Sequence, residues 1–134
     1  MKIFPTKSGT LYFGEAPDKE ALEVIKHKGV EIIWNLGAEL LEELEMERER
    51  FETVIHTPIE DYSAPKSMDE FEADIEVVHF HLQSDKKCFV HCFGGRGRTG
   101  MALACLAILD GNDSEQALKL ARHYCSGPER ESQV

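Results

Sequence analysis

Eleven consecutive residues, Val90-His91-Cys92-Phe93-Gly94-Gly95-Arg96-Gly97-Arg98-Thr99-Gly100, combine a nucleophile, two guanidinium groups, a hydroxyl and four glycines. A β-prone run, Lys87 to His91, leads into them, and an apolar run from Gly100 to Leu109 with helical character follows. A strand-loop-helix junction of this kind aims backbone N–H groups and the positive end of a helix at one point, which makes an anion site without net positive charge. Phosphate is the natural guest. Glycines at 94, 95 and 97 are expected to let the backbone curl around it, because a side chain would obstruct the curl or forbid positive φ. Cys92 stands at the entrance, where the same field favours thiolate over thiol and prepares a nucleophile. Arg98, six positions on, can fold back as a planar fork onto two phosphate oxygens, a geometry lysine cannot reproduce. The Thr99 hydroxyl can donate to the Cys92 sulfur when that sulfur must leave again. Phe93, Gly94, Gly95, Arg96 and Gly97 are therefore expected to line the bound oxyanion together with Arg98. His91 reads as a core histidine that orients the Cys92 backbone rather than as a proton donor.

The elements that must hold this loop are legible in outline. Lys2-Ile3-Phe4 and Thr10 to Phe13 predict a hairpin turning through Lys7-Ser8-Gly9. Asp18 caps a first helix ending before Gly29, and Val30 to Trp34 is the next strand. Leu40, Leu41 and Leu44 open a second helix whose charged stretch, Glu42 to Arg50, reads as a solvated face. Phe51 to Ile59 is a strand, and Phe71, Ile75, Val78 and Leu82 mark a helix with Ser67 or Asp69 as cap. Asp113 with Gln116 resembles a capping box for the last helix. Alternating strands and helices predict an α/β sandwich with a mostly parallel central sheet flanked by helices, one domain over residues 1–134.

Composition narrows the class. A chain of 134 residues with 42% hydrophobic content builds one sizeable core. Its four cysteines suit neither a disulfide framework nor a zinc site, which favours a reducing, cytoplasmic setting, with Cys88, Cys105 and Cys125 in the core. No signal-like start or membrane span is expected. A net charge of -10 repels polyanions, so nucleic acid is not an expected partner and any phosphate site must be locally positive. His79 and His81, two apart on a helix, do not suggest a metal site.

The loop resembles the signature of the protein-tyrosine phosphatase superfamily: histidine, cysteine, five residues, arginine, then serine or threonine and glycine. Every fixed position is filled, by His91, Cys92, Arg98, Thr99 and Gly100. The likeness is to the compact dual-specificity branch, and it covers most of the chain. It implies that Asp61, four residues before Pro65 and upstream of Cys92, is a general acid, with Glu60 as its rival. It also implies that Trp34-Asn35-Leu36 is the strand end after the first helix, and that Gln133 positions water. The implied activity is hydrolysis of phosphomonoesters on tyrosine, serine or threonine through a phosphocysteine, without metal or cofactor. Phosphate- and vanadate-type oxyanions are expected to bind. Arg96 keeps a phosphoinositide or other lipid phosphate open as substrate, while Phe93 stands where phosphoinositide-directed loops often carry lysine. An RNA 5'-triphosphate and a non-catalytic phosphate-binding module are further alternatives.

Overall fold

A computed structural model describes residues 1–60, 63, 65–94 and 96–125. Five strands form one sheet: β1 (Lys2–Phe4), β2 (Thr10–Gly14), β3 (Ile32–Gly37), β4 (Thr53–Ile59) and β5 (Lys87–His91). Five helices connect and cover them: α1 (Lys19–His27), α2 (Leu41–Arg50), α3 (Met68–Gln83), α4 (Gly97–Leu109) and α5 (Ser114–Cys125). The sheet order is β1-β2-β5-β3-β4, with only the β1–β2 pair antiparallel. The expected α/β sandwich with a mostly parallel sheet is therefore the observed architecture.

β5 sits in the centre because Cys88, Phe89 and Val90 bury side chains on both faces, as strands of a parallel sheet do. Cys88 and Val90 join Ile32, Trp34 and Leu36 in a core covered by α3, α4 and α5. Phe89 and Ile33 point the other way, onto Leu22 and Ile25 of α1. The caps follow the sequence. Asp18 accepts from the Ala21 amide at 2.8 Å, Ser67 from Glu70 at 3.3 Å, and Asp113 from Gln116 at 2.8 Å. Trp34 donates to Thr57 at 2.8 Å, and Thr57 donates to Asp74 of α3 at 2.6 Å, so the polar groups brought into this layer satisfy one another.

Three expectations need correction. Glu47, read as part of a solvated face, is 0% exposed. The reason is spacing: Leu40, Leu44, Glu47 and Phe51 recur along one side of α2, and all four are buried. Cys105, expected in the core, is only half-buried, since it lies on the flank of α4 beside Phe71 and Ile75. The buried helix expected from Gly100 onward begins at Gly97, so Arg98 and Thr99 belong to its first turn. Among the described residues, no helix is long and apolar enough to cross a membrane, and no cluster of potential ligands could hold a metal ion.

The hairpin turn depends on one glycine. Gly9 has φ +69, and a Cβ there would lie 2.6 Å from both the Leu82 and Lys86 carbonyl oxygens. Those oxygens belong to the last turn of α3 and to the residue before β5, and backbone cannot step aside cheaply. Gly9→Ala is expected to cost about 2 kcal/mol or more. Urea denaturation of the variant should show a lower midpoint with an unchanged slope.

Candidate active site

β5 ends at His91 and α4 begins at Gly97, so the chain must turn within the residues between them. Cys92 leaves the strand buried, and its Sγ accepts a hydrogen bond from Thr99 Oγ1 at 3.1 Å. Seven residues apart in sequence, the two are joined because Thr99 sits in the first turn of α4 and points back at the strand end. Helix geometry leaves the N–H groups of residues 97–99 without an acceptor four residues earlier in the helix, while Gly100 donates to the Arg96 carbonyl, and no acidic side chain occupies the turn. An anion at this point therefore meets helix-end polarity, with no carboxylate supplied by the turn itself.

Arg98 is 2% exposed, which places a charge that cannot be neutralised among buried atoms. Its Nη1 donates to Glu39 Oε1 at 2.6 Å and to the Ile59 carbonyl at 2.8 Å, and its Nη2 donates to Glu39 Oε2 at 2.9 Å. Glu39 thus grips the Nη1/Nη2 side of the fork. The second bidentate edge of a guanidinium is formed by Nε and Nη2. Glu39 is 48% exposed, and hydrogen bonding from Arg98 holds its carboxyl below the usual carboxylate range, against partial burial that pushes the other way.

The segment carrying Glu39 is itself fixed from β3. Asn35 accepts from the Gly37 amide at 2.9 Å and donates to the Leu40 carbonyl at 3.3 Å, shaping the turn between β3 and α2. Gly37 has no room for a side chain, because a Cβ would fall 2.4 Å from Leu40 Cγ.

His91 is wholly buried. Its Nδ1 lies 3.2 Å from the Cys92 carbonyl and its Nε2 lies 2.5 Å from Glu47 Oε2. Phe89 stacks on the imidazole with centroids 5.6 Å apart.

The other loop residues divide clearly. Phe93 is 64% exposed, and its carbonyl accepts from the Ala16 amide at 3.0 Å, tying the loop to the connection after β2. Gly94 has no positive φ, and a Cβ at that position would meet no atom within 4 Å, so neither reason expected for a glycine applies there. The cause is that Gly94 faces open space. With Arg96 it borders a groove of about 950 Å³ whose walls include Phe13, Pro17, Ala21 and Val24. This groove lies beside the loop and does not include Cys92. Asp61, Gln133 and Gly95 fall outside the described residues. Glu60, the rival acid, is exposed and pairs with Lys66 at 3.4 Å.

The remaining thiols differ from Cys92 in surroundings. Burial, with the Glu31 charge second, pushes Cys88 up to about 12, and burial followed by the Glu72 charge pushes Cys105 up to about 11. Both stay protonated at neutral pH, which makes them poor nucleophiles. Sequence reasoning missed Glu39 and Glu47, the two carboxylates that hold the loop's arginine and histidine. For Glu47 the signal was its register with Leu40 and Leu44; for Glu39 no local pattern existed.

Comparison with known proteins agrees with this geometry. A crystal structure of Tk-PTP in the active form superposes with a TM-score of 0.81 at 26% identity, covering 93% of this chain and 86% of that one. Kinase associated phosphatase, with its catalytic cysteine replaced by serine, shares the fold at a TM-score of 0.78 and 21% identity, covering 92% of this chain and 80% of that one. An uncharacterized protein of Methanocaldococcus jannaschii, MJ0215, is 37% identical over 57 residues, 42% of this chain and 35% of the relative. The chain spans less than half the length of the three curated relatives it matches. A family model described as "Polymorphic toxin system, DSP-PTPase phosphatase" matches residues 9–112, a stretch that contains β2 to β5, the Cys92 loop and all of α4, and this chain belongs to that family.

Proposed function

We propose that this chain is a cysteine-dependent phosphatase acting on phosphomonoesters of proteins, at tyrosine or at serine and threonine, through a phosphocysteine on Cys92. The observation that carries the reading is the Thr99 hydroxyl 3.1 Å from the Cys92 sulfur, at the start of a helix whose first turn also carries Arg98. A hydroxyl donating to sulfur stabilises a thiolate both as attacking and as leaving group. The same residues argue for one catalytic domain over residues 1–134.

In the first step Cys92 attacks phosphorus, forming an S–P bond as the P–O bond to the leaving group breaks. Asp61 gives its proton to the departing oxygen. A water molecule, positioned by Gln133, then attacks the same phosphorus and passes a proton to Asp61 while the S–P bond breaks and the thiolate returns. Arg98 and the amides of residues 93 to 98 hold the equatorial oxygens in both steps. Glu39 keeps the guanidinium in place from the Nη1/Nη2 side. His91 supports the Cys92 backbone. A vanadate or phosphate ion would occupy the same cradle.

The groove beside Gly94 and Arg96 supports a peptide-sized leaving group, because its walls are mixed apolar and charged and it opens next to the loop. Exposed Phe93 offers an aromatic face at its edge. The chain's acidity weighs against nucleic acid as substrate. Free thiols at all four cysteines support a reducing compartment, the cytoplasm.

Hydrolysis of p-nitrophenyl phosphate tests the reading. Cys92→Ser should abolish turnover, and Asp61→Ala should lower kcat by roughly 10² to 10⁴ and remove one limb of the pH profile. Turnover persisting in a clean Cys92→Ser preparation would sink the assignment. The Arg98–Glu39 pair makes a separate prediction. A carboxylate with a lowered folded-state pKa adds stability above its unfolded value, near 4.5, and loses it as pH falls through the folded value. Wild type should therefore exceed Glu39→Gln in stability at pH 7, and the gap should close only below pH 4.5, as read by urea denaturation across that range.

A further inference from the structure

The groove beside the loop extends well past the chemistry at Cys92. Among the described residues it is bordered by Gly94 and Arg96 at the loop and by Lys28 beyond the end of α1. Ala21, Val24, Ile25 and Lys28 recur at intervals of three and four, so one side of α1 forms its wall. Leu22 and Ile25 hold the helix against Phe89 and Ile33. Val24 receives no such cover and is 55% exposed. Gly14, Ala16, Pro17 and Ala21 keep the trough wide, because none carries a long side chain into it.

The charges of the lining reverse the balance of the chain. Acidic residues outnumber Lys and Arg by 25 to 15 overall, whereas the groove holds Lys2, Lys28 and Arg96 against Glu15 and Asp18. None of these three cations forms an ion pair with a described residue, unlike Arg50, Lys66 and Lys119. Asp18 already accepts from the Ala21 amide. Both carboxylates, with Lys2 and Arg96, belong to the loop end. Lys2 stands opposite Phe13 in the sheet register, and the Ala16 amide donates to the Phe93 carbonyl at 3.0 Å. Among the described lining residues, Lys28 alone carries charge at the far end. From Asp18 to Lys28 the axis of α1 advances ~15 Å, at about 1.5 Å per residue. An extended chain covers that distance in about four or five residues.

We propose that this groove docks the substrate's own polypeptide, as an extended segment on one side of the phosphoresidue, with an apolar side chain against Val24 and a carboxylate at Lys28. The proposal rests on the phosphatase reading and deepens it by naming the sequence that the site selects. Continuity favours substrate over a separate partner. The groove begins at Gly94 and Arg96, so a chain whose phosphate sits in the loop has its next residues at the groove's mouth.

The experiment measures kcat/KM for matched alanine-based phosphotyrosine peptides, carrying either glutamate or lysine at each of the positions flanking the phosphoresidue. Wild type should prefer glutamate about fivefold or more at the fourth or fifth position on one side, where an exposed attraction replaces an exposed repulsion. Lys28→Glu should invert that ratio. Leucine in place of alanine at the second or third position on the same side should raise kcat/KM about threefold, and Val24→Asp should remove the gain. Each readout is a ratio between peptides, so a general change in activity does not enter it. A ranking that is flat at the fourth and fifth positions, or that Lys28→Glu leaves in place, overturns the inference. A dimer in sedimentation velocity that Val24→Asp dissolves, together with a flat ranking, assigns the groove to a second copy and overturns it equally. Titrating the same peptides by fluorescence anisotropy against Cys92→Ser reads the groove without turnover. Should wild type hydrolyse neither the peptides nor p-nitrophenyl phosphate, the phosphatase reading fails, whereas a glutamate preference in binding that Lys28→Glu inverts still supports the groove as a peptide site.

Discussion

A strand end and a helix start are brought to within a hydrogen bond of each other at Cys92 and Thr99, and the geometry of the whole site depends on that closure. The loop between them is short, so its shape is set by where β5 stops and where α4 begins. β5 stops where it does because it is clamped between two parallel neighbours, with Gly14 opposite His91 on one side and Asn35 opposite it on the other. α4 begins where it does because its apolar surface must lie against the sheet on one side and α5 on the other. The sheet therefore supplies the precision, and the loop needs little rigidity of its own.

The charge on the chain and the charge at the site have opposite signs, and the fold reconciles them by burial. Net charge is -10, yet Arg98 is held inside by a carboxylate on one side and by the Ile59 carbonyl. A long-range field acts on approach and is screened beyond about 8–10 Å by salt. Close-range donors decide what stays. An acidic surface around a buried, carboxylate-paired guanidinium disfavours extended polyanions.

Most of the fold could be read from the residues because local rules and tertiary packing agreed. Asp18, Ser67 and Asp113 are caps in both the sequence and the structure, and the stripe from Phe71 to Leu82 faces the core. Within the contiguous run from His91 to Thr99, the expected meeting of Thr99 with the Cys92 sulfur is present. The site was not readable where the partners come from elsewhere: Glu39 reaches Arg98 across 59 residues, and Glu47 reaches His91 across 44. A dense run of glutamates and arginines hid Glu47, since charge density suggests solvent, whereas its position two helical turns after Leu40 places it inside. Gly94 misled in the other direction. A glycine in a phosphate-type loop invites a conformational explanation, and here the backbone is ordinary and the space is open.

The two outer strands of the sheet have a bearing on how this molecule behaves in a crowded solution. β1 is only three residues long, and β4, on the opposite boundary, contains Pro58, which has no amide hydrogen to offer. A foreign strand seeking to extend the sheet would find a ladder of a few rungs at one boundary and an interrupted one at the other. Resistance to that kind of polymerisation is thus built into the periphery, away from the fully paired central strand that the loop extends.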